Sequence, residues 1–325
     1  MVENTVEQNY PAPTRAQQRP LWNRLIISLL FIFILLTAAI VIVPKLYLSG
    51  SRPLQDVTLP VNGYNVHGYI NPGQQPDGAW VVFVHGMRGG GESEPLYQAI
   101  LHNMTNRVGV LAIDVRGYGQ SKDPTLAQAD NLIDRTDDVR AAIDYIEKTY
   151  GVSDDHIILV GHSLGANQVA KVAQGHRYLR VIPIGPGDFD EIISSPDGLQ
   201  NHADKIKNTL DITVSTDRIR TEAAPFTPQQ LYTPCPVTPV TMIGGAYEHD
   251  DGLYKHFDKI PTDCLSTFQI ITIPFADHMY GTEGIPLGRL NFLQPVLQPV
   301  QSRFTISLLV WNLNRVLDDT AQRIR

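Results

Sequence analysis

Residues 156–173 read HIILVGHSLGANQVAKVA. His156–Val160 is an apolar run of strand length, and Ala166–Ala173 has helical spacing. Between them lies Gly161-His162-Ser163-Leu164-Gly165, a G-x-S-x-G turn in the strand–turn–helix context it requires. Such a turn holds its serine in a strained backbone conformation. The residues two positions to either side are glycine, so that neighbouring chain can pass closely. The hydroxyl is exposed at the tip, and the following helix N-terminus favours negative charge beside it.

Outward from this turn, apolar strands alternate with helical stretches. Val57–Leu59 and Tyr64–Ile70, split by Asn62-Gly63, read as a hairpin. Trp80–Val84, Val108–Ile113, Leu179–Ile184, Val237–Ile243 and Phe268–Ile273 are further strands. Residues 129–150 and 304–324 carry helical spacing. Unbroken apolar strands alternating with helices imply a mostly parallel sheet covered on both faces, with function at the strands' carboxyl ends. Residues 187–236, rich in Pro225, Pro228, Pro234 and Pro236, interrupt the alternation as a lid or binding insertion.

The chain has 325 residues, a net charge of -7 and two cysteines. The acidic balance argues against nucleic-acid binding, and two cysteines are too few for an all-cysteine zinc site. Residues 1–20 are polar and read as a disordered tail. Leu25–Val43 holds no charge and is long enough to cross a bilayer as a signal anchor within residues 21–47. Trp22 and Tyr47 mark its ends. Arg15, Arg19 and Arg24 before it, against Lys45 and Arg52 after it, place the tail in the cytoplasm and residues 48–325 outside. Ser49–Pro53 reads as a linker.

A serine hydroxyl needs a base. Among ten histidines, His278 lies just past the last strand in ITIPFADHMYG. His162 packs inside the turn, and His85 braces the loop after Val84. An acid should precede His278 and fix its tautomer. GAYEHDDGL offers Glu248 first, then Asp250 and Asp251, with Asp188 and Asp190 behind them. Oxyanion donors are the N–H groups of Leu164 and of Met87 in HGMRGGG. That glycine cluster lacks both the Lys-Ser/Thr ending and the G-x-G-x-x-G spacing of phosphate-binding loops. Asp114 and Arg116 are expected to pair structurally near the site. Cys235 and Cys264 precede two strands; if those strands are neighbours, their separation suits a disulfide, which would agree with an oxidising compartment.

The order Ser163, acid, His278, with the elbow and the HG loop, resembles the α/β-hydrolase superfamily over roughly residues 55–320. AIDVRGYGQS (residues 112–121) and DDVRAAIDYI (residues 137–146) are similar to segments of that family, in particular its single-pass, membrane-anchored hydrolases of the serine aminopeptidase type. The resemblance implies an eight-stranded, mostly parallel sheet and a Ser-acid-His mechanism. The expected activity is hydrolysis of carboxyl esters, lipid-derived ones among them, with no metal or organic cofactor. Thioesterase, peptidase and carbon–carbon hydrolase chemistry, or a non-catalytic binding domain on the same fold, are the alternatives.

Overall fold

The computed structural model describes residues 26–31, 42–87, 89–91, 93–123, 125–128, 131–248, 258–280 and 294–324. Two units separate: residues 1–46 and residues 47–325. In the first, residues 26–31 and 42–46 are helical, and Ile26, Ile27, Leu29, Leu30 and Phe31 are exposed. No helix among the described residues is long and apolar enough to cross a membrane. The expected tail and the middle of the Leu25–Val43 stretch lie outside them.

The second unit is built on eight strands: β1 (Gln55–Val61), β2 (Tyr64–Asn71), β3 (Trp80–Val84), β4 (Gly109–Asp114), β5 (Ile157–His162), β6 (Arg180–Ile184), β7 (Val240–Gly245) and β8 (Phe268–Ile273). Their order is β1-β2-β4-β3-β5-β6-β7-β8. β2 is antiparallel to both its neighbours, and every other pair is parallel. Asn62 and Gly63, both at positive φ, make the β1–β2 turn. The central strands β3, β4, β5 and β6 are buried at every position, which is why they read as unbroken apolar runs.

Alternation along β3 divides the core. Val81 and Phe83 join Leu96, Ile100, Leu309 and Leu313 on one face, from helices α1 (Pro95–Asn103) and α8 (Gln294–Ala321). Trp80, Val82 and Val84 join Val139, Ile143, Val169 and Val172 on the other, from α2 (Thr136–Tyr150) and α3 (Leu164–Val172). Over α3 lies a third apolar cluster formed by α4 (Phe189–Ser194), α5 (Pro196–Leu210), α6 (Thr216–Ala223) and α7 (Pro228–Leu231). The 187–236 insertion is therefore a helical cap.

Some boundaries differ from the sequence reading. β7 starts at Val240, because Pro239 lacks the N–H that a ladder needs. α2 starts at Thr136 and the last helix already at Gln294. Ser49–Pro53 is no free linker. Arg52 is buried, and its guanidinium donates to the carbonyls of Asn71, Thr105 and Val108 at 3.0, 2.9 and 2.7 Å. Cys235 and Cys264 form a disulfide with Cα atoms 5.0 Å apart, ahead of the neighbouring strands β7 and β8.

Candidate active site

Five parallel strands end along one edge, and each carries a site segment: His85 after β3, Ser163 after β5, Gly185 after β6, Glu248 after β7 and His278 after β8. Pairing fixes their heights. Val84 lies opposite Gly161, His162 opposite Ile184, and Gly245 opposite Ile273.

Ser163 has φ 54° and ψ -121°, a strained conformation for a residue with a Cβ. The flanking glycines make it possible, since a Cβ on Gly161 would collide with the Gly165 backbone and one on Gly165 with the Val84 carbonyl. The Ser163 N–H is anchored on the Ile184 carbonyl at 2.9 Å. His278 Nε2 lies 2.9 Å from Ser163 Oγ. On the opposite side of the ring, Nδ1 faces Glu248 Oε1 at 3.7 Å, and that carboxylate is 1% exposed. The Glu248 turn is held to the His278 loop by the Tyr247 N–H on the Ala276 carbonyl, 2.8 Å.

The loop after β3 lies directly against the serine: a Cβ on Gly86 would stand 2.8 Å from Ser163 Cβ. Leu164 is the first residue of α3, so its N–H has no acceptor within the helix. Among the described residues neither that N–H nor the one of Met87 donates to a protein group. His85 Nδ1 is 2.6 Å from the Gly86 carbonyl, and its Nε2 accepts the Val115 N–H at 3.1 Å. His162 is fully buried between Tyr97 Oη (2.9 Å from Nδ1) and the His278 carbonyl (3.0 Å from Nε2). Desolvation, with a smaller contribution from neighbouring His278, holds its pKa down at about 3, so the ring is neutral.

Three comparisons bear on this arrangement. The family model described as "Serine aminopeptidase, S33" matches residues 75–195, a span that includes Ser163 and stops short of Glu248 and His278. The chain is 37% identical over 108 residues to protein phosphatase methylesterase 1 of Schizosaccharomyces pombe, covering 32% of this chain and 30% of that protein. It is 24% identical over 303 residues to the uncharacterized protein YfhR of Salmonella typhi, covering 85% and 97%. A solved structure of Est1E from Butyrivibrio proteoclasticus with ferulic acid superposes with a TM-score of 0.53 at 15% identity, covering 81% of this chain and 98% of that one. The chain has the α/β-hydrolase fold. It spans about a third of the length of the methylesterase.

Within this α/β-hydrolase fold, Ser163, His278 and Glu248 meet as the sequence order expects, while Asp250 and Asp251 lie outside the described residues. Asp188 and Asp190 stand elsewhere. Asp188 caps α4 by accepting the Glu191 N–H and pairs with Lys259 at 2.6 Å, and Asp190 lies 3.9 Å from the same lysine. The expected Asp114–Arg116 pair does not form. Asp114 is buried and accepts the N–H groups of Gly91 and Gln120 at 2.6 and 2.8 Å, pinning the glycine-rich loop. Arg116 turns away to Asp123 at 2.5 Å and stacks over Tyr64. Two residues absent from the sequence reading support the site, Tyr97 and Gly185, and a third, Asn167, holds the cap through Gly187 and Phe226. Tyr97 and Asn167 look like ordinary helix residues in sequence, and their partners come from strand ends and loops far along the chain.

Proposed function

We propose that this protein is a membrane-anchored serine hydrolase acting on carboxyl esters. The observation that carries the proposal is the line Ser163 Oγ, His278 Nε2 at 2.9 Å, His278 Nδ1, Glu248 Oε1 at 3.7 Å. Ser163 Oγ attacks the acyl carbon while His278 Nε2 takes its proton. Glu248 holds the imidazole in the productive tautomer and balances the imidazolium. The Met87 and Leu164 N–H groups donate to the oxygen that carries the developing charge. His278 then gives the proton to the departing alcohol oxygen as the acyl–oxygen bond breaks. A water deprotonated by His278 releases the acid and restores Ser163. Nothing in these steps calls for a metal or an organic cofactor.

An ester substrate is favoured by the name of the methylesterase relative. Cap residues Phe189, Leu199 and Phe226 share one apolar cluster with Leu164, and Met87 packs against it. An apolar acyl chain is the group such surroundings favour. The uncharged Leu25–Val43 stretch supports a single-pass anchor, with residues 1–20 as its tail. The Cys235–Cys264 disulfide favours an extracytoplasmic location for the catalytic unit.

The test is labelling of the detergent-solubilised full chain with a fluorophosphonate, beside Ser163→Ala, His278→Ala and Glu248→Gln. Labelling is expected in the wild type, absent from Ser163→Ala and slowed at least ~100-fold in His278→Ala. A folded wild type that neither labels nor hydrolyses p-nitrophenyl esters overturns the reading in favour of a binding domain.

A further inference from the structure

Two bonds on His162 leave little freedom in where protons sit. A carbonyl oxygen only accepts, so Nε2, 3.0 Å from the His278 carbonyl, carries the hydrogen. In a neutral, fully buried ring Nδ1 is then bare, and it accepts the Tyr97 O–H at 2.9 Å. With its own hydrogen committed, Tyr97 Oη accepts the Gly86 N–H at 2.8 Å. The result is a one-way chain, Gly86 N–H to Tyr97 Oη–H to His162 Nε2–H to the His278 carbonyl. Every group in it is buried or nearly so.

The ends of this chain fall on two parts of the reaction that share no strand. Gly86 precedes Met87, the donor proposed for the oxyanion. His278 is the proposed base, and its loop follows β8, four strands across the sheet from β3. Tyr97 and His162 also pack face to edge, with centroids 5.6 Å apart, and His162 lies 5.1 Å from the His278 ring.

We propose that Tyr97 and His162 are positioning residues that set the oxyanion loop and the His278 loop at one fixed distance from each other. The inference rests on the serine-hydrolase reading. Neither side chain touches substrate. They act by holding the Gly86 N–H and the His278 backbone on a shared buried tie, so that the base and the oxyanion donor keep their spacing about Ser163 as charge develops. A side chain whose only task is to fill space would be replaceable there by any ring of equal volume.

The experiment uses the detergent-solubilised full chain, p-nitrophenyl acetate as substrate and fluorophosphonate titration to count active sites. The variants are Tyr97→Phe, His162→Gln and His162→Phe. Tyr97→Phe deletes one oxygen and cuts the chain in the middle. It is expected to lower kcat per titrated site about tenfold with KM little changed, less than the loss of an oxyanion donor itself. His162→Gln retains an N–H within reach of the His278 carbonyl, whereas His162→Phe retains only the ring. The expected order of kcat is wild type, then Gln, then Phe. A packing role predicts Phe at or above Gln, with changes confined to thermal stability.

The double variant Tyr97→Phe with His162→Phe should be no slower than His162→Phe alone, since one break already opens the chain. Wild-type kcat in Tyr97→Phe, or Phe at or above Gln at position 162, overturns the positioning role while leaving the serine hydrolase intact. A wild type that fails to label overturns the underlying reading, and this one with it.

Discussion

At Gly185 the backbone passes beneath the carboxylate–imidazole pair with φ 49°. A Cβ built there stands 2.9 Å from Glu248 Oε1 and 3.3 Å from His278 Nδ1. Gly185→Ala must therefore push acid and base apart and also bear a left-handed backbone, at about 1–2 kcal/mol. The expected outcome is a fall in kcat of about 100-fold, the scale of a misplaced catalytic group. A stopped-flow burst would show slowed acylation. Unchanged acylation would mean that the 3.7 Å separation of Glu248 and His278 has slack to spare. The serine was legible because its turn is contiguous in sequence, and His278 because it follows a strand. Glu248 could only be ranked first among several carboxylates: its selection depends on which of them turns back over β6. Gly185 and Tyr97 carry no local signal at all, since their roles exist only where separate strands end side by side.

The cap shows the same division one level up. Its prolines marked residues 187–236 as an inserted lid or binding element without showing its helices, and Pro196 and Pro228 stand in the first turns of α5 and α7, where the missing N–H costs nothing. Side-chain caps on Asp188, Ser195, Ser215 and Thr227 mark the helix starts. What the periodicity did not disclose is the support these helices rest on, because it is polar. Asn167 on α3 accepts the Gly187 N–H and donates to the Gly187 and Phe226 carbonyls, at 2.9, 2.9 and 3.3 Å. Next to it, Gln168 holds Ile133 and Arg135. Glu222 of α6 accepts the Leu132 N–H at 2.6 Å, so cap and body grip the same segment. Asn167→Ala leaves those buried backbone groups unpaired. It should cost about 2–3 kcal/mol in urea unfolding and open residues 187–236 to limited proteolysis. Wild-type protease resistance in that variant would show that the apolar contacts alone seat the cap.

At the scale of the molecule, three histidines among the described residues are buried and held towards the neutral form: His85, His162 and His202. Desolvation is the leading cause in each. It lowers His85, brings His162 to about 3 and brings His202, next to Lys205, to about 4. In the unfolded chain each returns to the ordinary value near 6.5. Between those limits the unfolded state binds more protons than the folded one, so unfolding free energy rises with pH. Stability is therefore full above about pH 6.5 and is lost as pH falls towards 4, a window that opens above the ordinary carboxylate range. Urea midpoints measured at pH 7, 6 and 5 should fall steadily. His202→Phe, which removes one such group from helix α5, should flatten the slope. A pH-independent midpoint over that range would mean that these rings protonate in place, and that the buried tie through His162 is looser than its two bonds imply.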